Sequence, residues 1–178
     1  LSDGQYKLKR GEANSYRITL TTGQFVNAVV EQQGIDAIVT IFSPDGSQLS
    51  VTDSQNGRWG SEPVLLIATT PGDYRVEIKC ASTDPEASYQ ILVKAIREAT
   101  AADREYVRTQ RTFEEAEKLR SQAAATAKRA AIEKYKDSLS GFRSAGDTYH
   151  QAMTLWMLGL AHMQLNEYRS ALTYLEEG

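Results

Sequence analysis

Apolar and polar residues alternate with a period of two along the first half of the chain. The apolar members stand at every second position in residues 16–20, 26–30, 74–80 and 89–95. Such alternation places one set of side chains on a single face of a β-strand. Residues 37–42 and 64–68 are instead apolar at nearly every position, which predicts central strands covered on both faces.

Turn-forming residues separate these segments. The turns are predicted at Thr22-Gly23, Gln33-Gly34, Pro44-Asp45-Gly46, Asn56-Gly57 and Pro71-Gly72-Asp73. Glycine and asparagine accept the positive φ that many tight turns require, and proline presets φ for the first turn position. About eight short strands at spacings of roughly ten residues predict an antiparallel β-sandwich of jelly-roll type.

The second half of the chain changes both its periodicity and its composition. Apolar residues recur at helical spacing through 99–124 and through 128–143, and all four prolines lie in the first half. Thr126 is a candidate cap for the second helix, although the Ala-rich join also allows the two helices to merge. Gly146 interrupts the pattern, and Asp147 is placed to cap the next helix.

These patterns together predict a multidomain β + α fold. Residues 1–97 form the sandwich, and residues 98–178 form a helical region of about four helices. Within that region, residues 98–145 hold a long helix and an atypical repeat, and residues 146–178 hold one truncated helix pair.

Charge and composition exclude several classes of function. With 20 basic and 23 acidic residues, the net charge is −3, so the chain has no general attraction for nucleic acid or anionic lipid. No apolar run approaches the length that spans a bilayer. The single cysteine excludes an internal disulfide.

The last helix pair alternates large and small residues in a recurrent way. Gly159 and Ala171 are small where two antiparallel helices would meet. The large residues expected to fill the space around them are Leu155, Leu158, Tyr168 and Leu175. The pattern resembles a tetratricopeptide repeat (TPR). Its signature positions hold Leu155, Leu158, Gly159, His162, Tyr168, Ala171 and Leu175. It departs from the family at His162, where tyrosine is usual, and at Gly178, where alanine is expected.

A similar segment earlier in the chain supports an internal repeat. Ala131-Ile132-x-x-Tyr135 matches Ala171-Leu172-x-x-Leu175 at an offset of about forty residues, and the earlier copy is interpreted as a capping repeat. Stacked repeats bury each other's apolar faces, so we expect further repeats beyond Gly178. We also expect the last helix to be open to self-association.

A second resemblance covers about residues 3 to 95. It rests on Gly11-x-x-x-Ser15-Tyr16-Arg17-Ile18-x-Leu20-x-x-Gly23-Gln24, on residues 29–36, on Phe42-x-Pro44-Asp45-Gly46 and on Pro71-Gly72-x-Tyr74-Arg75-Val76-Glu77. These segments resemble the pre-peptidase C-terminal (PPC) family of β-sandwiches. A sandwich followed by such helices is similar to the N-terminal region of bacterial proteins ending in a CHAT peptidase domain. That resemblance implies a secreted, periplasmic or envelope-facing protein whose peptidase module lies downstream.

The residues themselves offer little for catalysis. We expect His162 to pack in the repeat core, His150 to be solvated and Cys80 to be a buried small hydrophobe. One cysteine and two separated histidines exclude a zinc site, and no nucleotide-binding glycine motif is present. We therefore expect no enzyme activity, no catalytic residue and no cofactor.

Calcium is the one metal that the loops suggest, because it prefers oxygen ligands. The candidate ligands are Asp36, Asp45, Asp53, Asn56 and Glu62. No Asp-x-Asp-x-Asp spacing is present, and turn formation explains Asp45-Gly46 and Asn56-Gly57. We therefore expect no metal.

Two tryptophans are candidate ligand contacts. Trp59 follows a turn, where it either stacks on a sugar ring with Phe25 as its companion or folds back over the sandwich edge. Trp156 lies beside Leu155, where it either packs against the preceding helix or lines a groove for a peptide.

The sequence thus predicts a non-catalytic interaction or scaffold fragment of a larger bacterial protein. Its helices would offer a surface to a protein or peptide partner, and its sandwich would be a cap or an accessory recognition module. The alternative is that the sandwich binds carbohydrate or a cell-envelope glycan.

Overall fold

The computed structural model describes residues 1–9, 11–53, 57–80 and 87–178. The chain divides into two compact units, Leu1–Ala99 and Thr100–Gly178. The first unit contains β-strands and the second contains α-helices. No helix in the described ranges combines the length and the apolar character needed to cross a membrane.

Eight strands build the first unit. They are β1 (Gly4–Leu8), β2 (Ala13–Leu20), β3 (Gln24–Gln33), β4 (Ala37–Phe42), β5 (Gln48–Thr52), β6 (Trp59–Ile67), β7 (Gly72–Cys80) and β8 (Ala87–Glu98). One antiparallel sheet has the order β1-β8-β3-β6, and the other has the order β2-β7-β4-β5. The predicted antiparallel β-sandwich is confirmed at this level.

One hydrophobic core joins the two sheets. Val26 and Ile91 come from the first sheet, Ile78 and Tyr74 come from the second, and each is at most 1 % exposed. These residues belong to the alternating sets, so the predicted inward faces are correct. Burying one such side chain contributes about 1.5–3 kcal/mol. Cys80 lies in the same core at 3 % exposure, as expected.

The prediction of two central strands is correct for β4 and wrong for β6. Strand β4 lies between β7 and β5, whereas β6 lies at the edge of its sheet. Pro63 gives the physical reason, because proline has no N–H to donate and is confined to edge strands or bulges. The second apolar face of β6 arises from Leu65 and Ile67, which are half-buried on the outer side of the sheet.

Four helices build the second unit. They are α1 (Ala101–Arg120), α2 (Ala125–Ala145), α3 (Thr148–Gln164) and α4 (Tyr168–Glu177). Thr100 and Asp103 form a capping box at the start of α1, and Asp147 caps α3 by accepting from the His150 N–H, as predicted. The proposed Thr126 cap is wrong. Ala124 precedes α2 and makes no side-chain cap, and α1 and α2 do not merge.

Consecutive helices pack closely where one of them carries glycine. In the α1–α2 pair, a methyl group on Gly141 would collide with the buried Thr109 side chain. In the α3–α4 pair, a methyl group on Gly159 would lie 2.7 Å from Leu175 Cγ. The first pair thus places the small residue on its second helix, which explains why the Leu-Gly element is missing from α1.

Replacing either glycine tests these two crossings. Gly141→Ala should lower the free energy of unfolding by about 1–2 kcal/mol, because overpacking outweighs the gain in helix propensity. Gly159→Ala should cost less, because the Leu175 side chain is 41 % exposed and can rotate outward. Urea unfolding followed by circular dichroism measures both, with Ser170→Ala on the exposed side of α4 as the control. A Gly141→Ala variant as stable as the parent would show that the crossing is loose.

Candidate binding surfaces

Helix α3 presents an uncharged and partly apolar face to solvent. Its 17 residues include no Asp, Glu, Lys or Arg. Tyr149, Trp156 and Met163 are 56 %, 42 % and 45 % exposed. Seven residues make nearly two helical turns, so these three side chains form one stripe, here called the α3 stripe. Contiguous apolar surface on a helix is typical of an interaction site.

The opposite face of α3 forms the core of the helical unit. Leu158 and Ala161 are fully buried, and they cluster with Ala131 and Tyr135 of α2. Trp156 lies outside this core and is partly exposed, so the core-packing alternative is wrong, and its role in a peptide groove stays a prediction. Because the inner face already anchors α3, the α3 stripe is free to contact another molecule.

The seven TPR signature positions divide into buried and exposed sets. Leu155, Leu158, Gly159, His162 and Ala171 are buried. Tyr168 is 63 % exposed and donates to Asn166 Oδ1 at 2.9 Å, so its expected packing role is wrong. Leu175 touches the Gly159 crossing and is still 41 % exposed. Leu172 on the same helix is also 56 % exposed; self-association through α4 stays a prediction.

His162 ties the α3–α4 turn to α2. Its Nδ1 lies 2.7 Å from Glu167 Oε2, and the other oxygen of Glu167 lies 2.8 Å from Arg129 Nη2. The ring also stacks on Tyr174, with centroids 5.4 Å apart. The hydrogen bond from His162 lowers the pKa of Glu167, and so does the one from Arg129. His162 therefore packs as predicted, and its buried Nε2 has no hydrogen-bond partner among the described residues.

His150 is held in a polar network rather than solvated. Its Nδ1 lies 2.6 Å from Asp147 Oδ2, its Nε2 lies 3.1 Å from Gln110 Nε2, and its ring stacks on Phe142. Tyr106 donates to the same Asp147 oxygen at 2.5 Å. Burial alone would raise the pKa of Asp147, but hydrogen bonds from Tyr106 and His150 outweigh it and lower that pKa. Both ring nitrogens have partners, so the network clamps the start of α3 to α1.

Trp59 stands on an exposed polar surface of the first sheet. It is the first residue of β6 and is 70 % exposed, so the expectation that it folds back is wrong. Its neighbour across the sheet is Gln33, whose Oε1 accepts from Gln5 at 3.0 Å and from Ser88 at 3.2 Å. One row further along, Ser61 donates to Glu31 at 2.8 Å. We call this surface the Trp59 platform.

Phe25 cannot be the aromatic companion of Trp59. It pairs with Ile67 at the other end of β3, eight residues from Gln33, and is only 2 % exposed. At about 3.4 Å per residue, roughly 27 Å of strand separates the two ends. The Trp59 platform therefore combines a single tryptophan with amide, hydroxyl and carboxylate groups.

The candidate calcium ligands can be located only in part. Across the described ranges, no group of three His, Cys, Asp or Glu side chains is arranged to hold a metal ion. Glu62 is 1 % exposed and accepts from Gln32 at 3.3 Å inside the sandwich. Asp45 accepts from Ser43 and from the Ser47 N–H, as a turn residue does. Asn56 lies outside the described residues.

Two of these acids have pKa values that move in opposite directions. Partial burial raises the pKa of Asp53, and repulsion from Asp36 adds to it. The hydrogen bond from Ser43 lowers the pKa of Asp45, and bonds from Ser47 add to that effect. Folding therefore disfavours the ionised form of Asp53 and favours the ionised form of Asp45.

Comparisons with known proteins give a distant likeness. No protein-family model and no curated protein matches the chain. The periplasmic g-type lysozyme inhibitor PliG of Aeromonas hydrophila is 10 % identical, covering 54 % of this chain and 85 % of its own, with a TM-score of 0.43. The PPC domain of a Bacillus anthracis collagenase is 14 % identical, covering 52 % and 89 %, with a TM-score of 0.40.

A family 35 carbohydrate-binding module from an environmental isolate is also similar. It is 16 % identical, covers 52 % of this chain and 74 % of its own, and has a TM-score of 0.32. These values describe a remote resemblance over about half of the chain. They assign neither a ligand nor a partner to it.

The sequence reasoning singled out Trp156 and missed its companions. Tyr149 and Met163 stand seven residues before and after it, and the helix between Asp147 and Glu167 carries no charge other than histidine. Both signals can be read without a structure. The missing information was which face of α3 the other helices cover.

The two acids allow a paired pH test. A raised pKa means that ionised Asp53 destabilises the folded state, and that this cost disappears as the pH falls below the unfolded pKa of about 3.9. Asp53→Asn should therefore raise the melting temperature at pH 7 and have little effect near pH 3. Asp45→Asn should lower it at pH 7, because a depressed pKa adds stability only above that range, and the loss should shrink in acid. Calorimetry on both variants checks the signs; two shifts of the same sign at pH 7 would contradict the assignment.

Proposed function

We propose that the chain is a non-catalytic protein-interaction module whose principal recognition surface is the α3 stripe. The observation that carries this proposal is an uncharged helix with Tyr149, Trp156 and Met163 exposed in one line, while its other face is buried. Large aromatic side chains and methionine are the types enriched at the cores of protein interfaces.

The proposed partner is an amphipathic helical segment of another protein. From Tyr149 to Met163 the stripe is about 21 Å long at 1.5 Å per residue, which corresponds to about four helical turns of a partner. Such a partner would present apolar residues at spacings of three and four, with few charges on that face, because the stripe offers no ion pair. Helix-on-helix docking fits this length and chemistry.

We also propose a jelly-roll arrangement for the sandwich, a TPR-type helix pair and a CHAT-type protein context. The sheet orders β1-β8-β3-β6 and β2-β7-β4-β5 support a jelly-roll arrangement for the sandwich. The buried Leu158, Gly159 and Ala171 support a TPR-type α3–α4 pair, with α1–α2 as an atypical neighbour. A PPC-like sandwich followed by such helices supports assigning the chain to the N-terminal region of a CHAT-type bacterial protein. That assignment in turn supports a secreted or periplasmic location.

The non-catalytic part of the proposal rests on the state of the reactive side chains. Cys80 is buried in the sandwich core. His150 is held by Asp147 and Gln110, and His162 is 9 % exposed and held by Glu167. A histidine that acts as a general base must lie within hydrogen-bond reach of the substrate proton that it removes. Both imidazoles are instead used to hold helices together.

Trp156→Ala tests the proposed surface. Peptides selected from a random display library against the intact chain provide the probe, and titration calorimetry measures the tightest one. Truncating a central tryptophan should weaken binding at least tenfold, whereas Trp59→Ala should leave it unchanged. Selected peptides that bind the Trp156→Ala variant as tightly as the parent would refute the α3 stripe as the docking site.

A second candidate function is glycan binding at the Trp59 platform. An exposed indole offers an apolar face to a pyranose ring, and neighbouring amides and hydroxyls can pair with its hydroxyl groups. Gln33 supports this candidate, because bonds from Gln5 and Ser88 hold its side chain on the platform before any ligand arrives.

A glycan array separates the second candidate from the first. If the platform binds sugar, the parent chain should give saturable signals that Trp59→Ala abolishes and Trp156→Ala retains. Each tryptophan variant thereby serves as the control for the other. If no neutral glycan gives a signal, or if every neutral-glycan signal survives Trp59→Ala, the platform is excluded as a glycan site.

A further inference from the structure

A cleft of about 410 Å³ opens on the outer side of the second sheet, away from the Trp59 platform. Its floor is formed by β2 and β7, and the loop between β4 and β5 forms one wall. Gly72 lets that loop approach, because a methyl group there would lie 2.9 Å from Pro44 Cβ. The backbone N–H of Ser43 closes the loop by donating to Ser47 O at 2.9 Å. Defined contacts therefore hold the wall in place. The volume of the cleft lies in the range of small-molecule sites.

Two arginines face each other across the floor of this cleft. Arg17 on β2 is the direct cross-strand neighbour of Arg75 on β7. Like charges in this position repel each other and destabilise a sheet. The Arg75 guanidinium lies 3.7 Å from the centroid of Phe42, which holds it flat against the neighbouring strand. One cation is thus preoriented, and the other extends into solvent with 77 % of its side chain exposed.

The carboxylates near the arginines leave donors available. Asp73 accepts from Thr19 at 2.6 Å with one oxygen, and its other oxygen lies 3.5 Å from Arg17 Nη1, which is a loose ion pair. Glu77 pairs with Nη1 of Arg75. Each guanidinium carries five N–H groups, and among the described residues these ion pairs use only Nη1 of Arg17 and Nη1 of Arg75. Ser15 and Ser43 add hydroxyl groups to the lining.

We propose that this cleft binds an acidic monosaccharide unit, with the sugar carboxylate between Arg17 and Arg75. Guanidinium groups are the preferred partners of carboxylates, because their N–H groups can donate in parallel to both carboxylate oxygens. Asp73 and the serines supply the mixed acceptors and donors that ring hydroxyls require. The proposal is independent of the α3 stripe and of the Trp59 platform.

Calorimetric titration of the intact chain with sodium glucuronate, glucose, succinate and triglutamate tests the cleft. Glucuronate should bind saturably, and glucose, which lacks the carboxylate, should bind at least tenfold more weakly. Succinate or triglutamate binding as tightly as glucuronate would overturn the assignment to a sugar. Failure of glucuronate to bind would overturn the site altogether.

Three variants locate the binding. Arg17→Gln and Arg75→Gln should each weaken glucuronate binding about tenfold or more, because each removes a charged hydrogen-bond donor. Loss of the Arg75–Phe42 contact in Arg75→Gln could disturb the sheet. Arg17→Gln then provides the decisive test of the site, because it alters an exposed side chain. Lys79→Gln is the matched control, since it removes one positive charge from the same face of β7 outside the cleft. Equal weakening by Lys79→Gln would indicate non-specific attraction and overturn the proposal.

Discussion

The hydrophobic interior between the two sheets is the constraint on which the first unit depends. Inward side chains such as Val26, Val39 and Ile78 are fully or almost fully buried, and every second residue of their strands must then face outward. The outward rows are free of that packing demand. Each sheet uses its outer row differently: one carries Trp59 among amides and hydroxyls, and the other carries Arg17 opposite Arg75.

The helical unit follows the same division between an anchoring face and a free face. Close crossings at Gly141 and Gly159 bring neighbouring helices together, so that one side of α3 is sealed. The opposite side is left with Trp156, Tyr149 and Met163 exposed, on a helix that contains no Asp, Glu, Lys or Arg. Exposing such residues costs solubility, which makes their alignment along one helix more consistent with recognition than with chance.

Polar side chains join neighbouring helices of this unit. Asp147, His150 and Tyr106 join the start of α3 to α1, while His162, Glu167 and Arg129 join its end to α2. Both ends of the candidate recognition helix are therefore fixed by hydrogen bonds before a partner arrives. A preorganised surface loses less conformational entropy on binding, which favours affinity from a small area.

Local patterns determined most of the secondary structure of this chain. Period-two alternation located β2, β3, β7 and β8, and apolar runs located β4 and β6, whereas no pattern singled out β1 or β5. Asp147 identified the start of α3 because capping is a local interaction. Strand order, exposure and cross-strand pairing were decided only by the tertiary structure. An apolar run cannot reveal whether β6 is central or at an edge, nor whether Tyr168 is covered, because both depend on distant neighbours. Arg17 and Arg75 are 58 positions apart in the sequence, and only the β2–β7 register places them opposite each other.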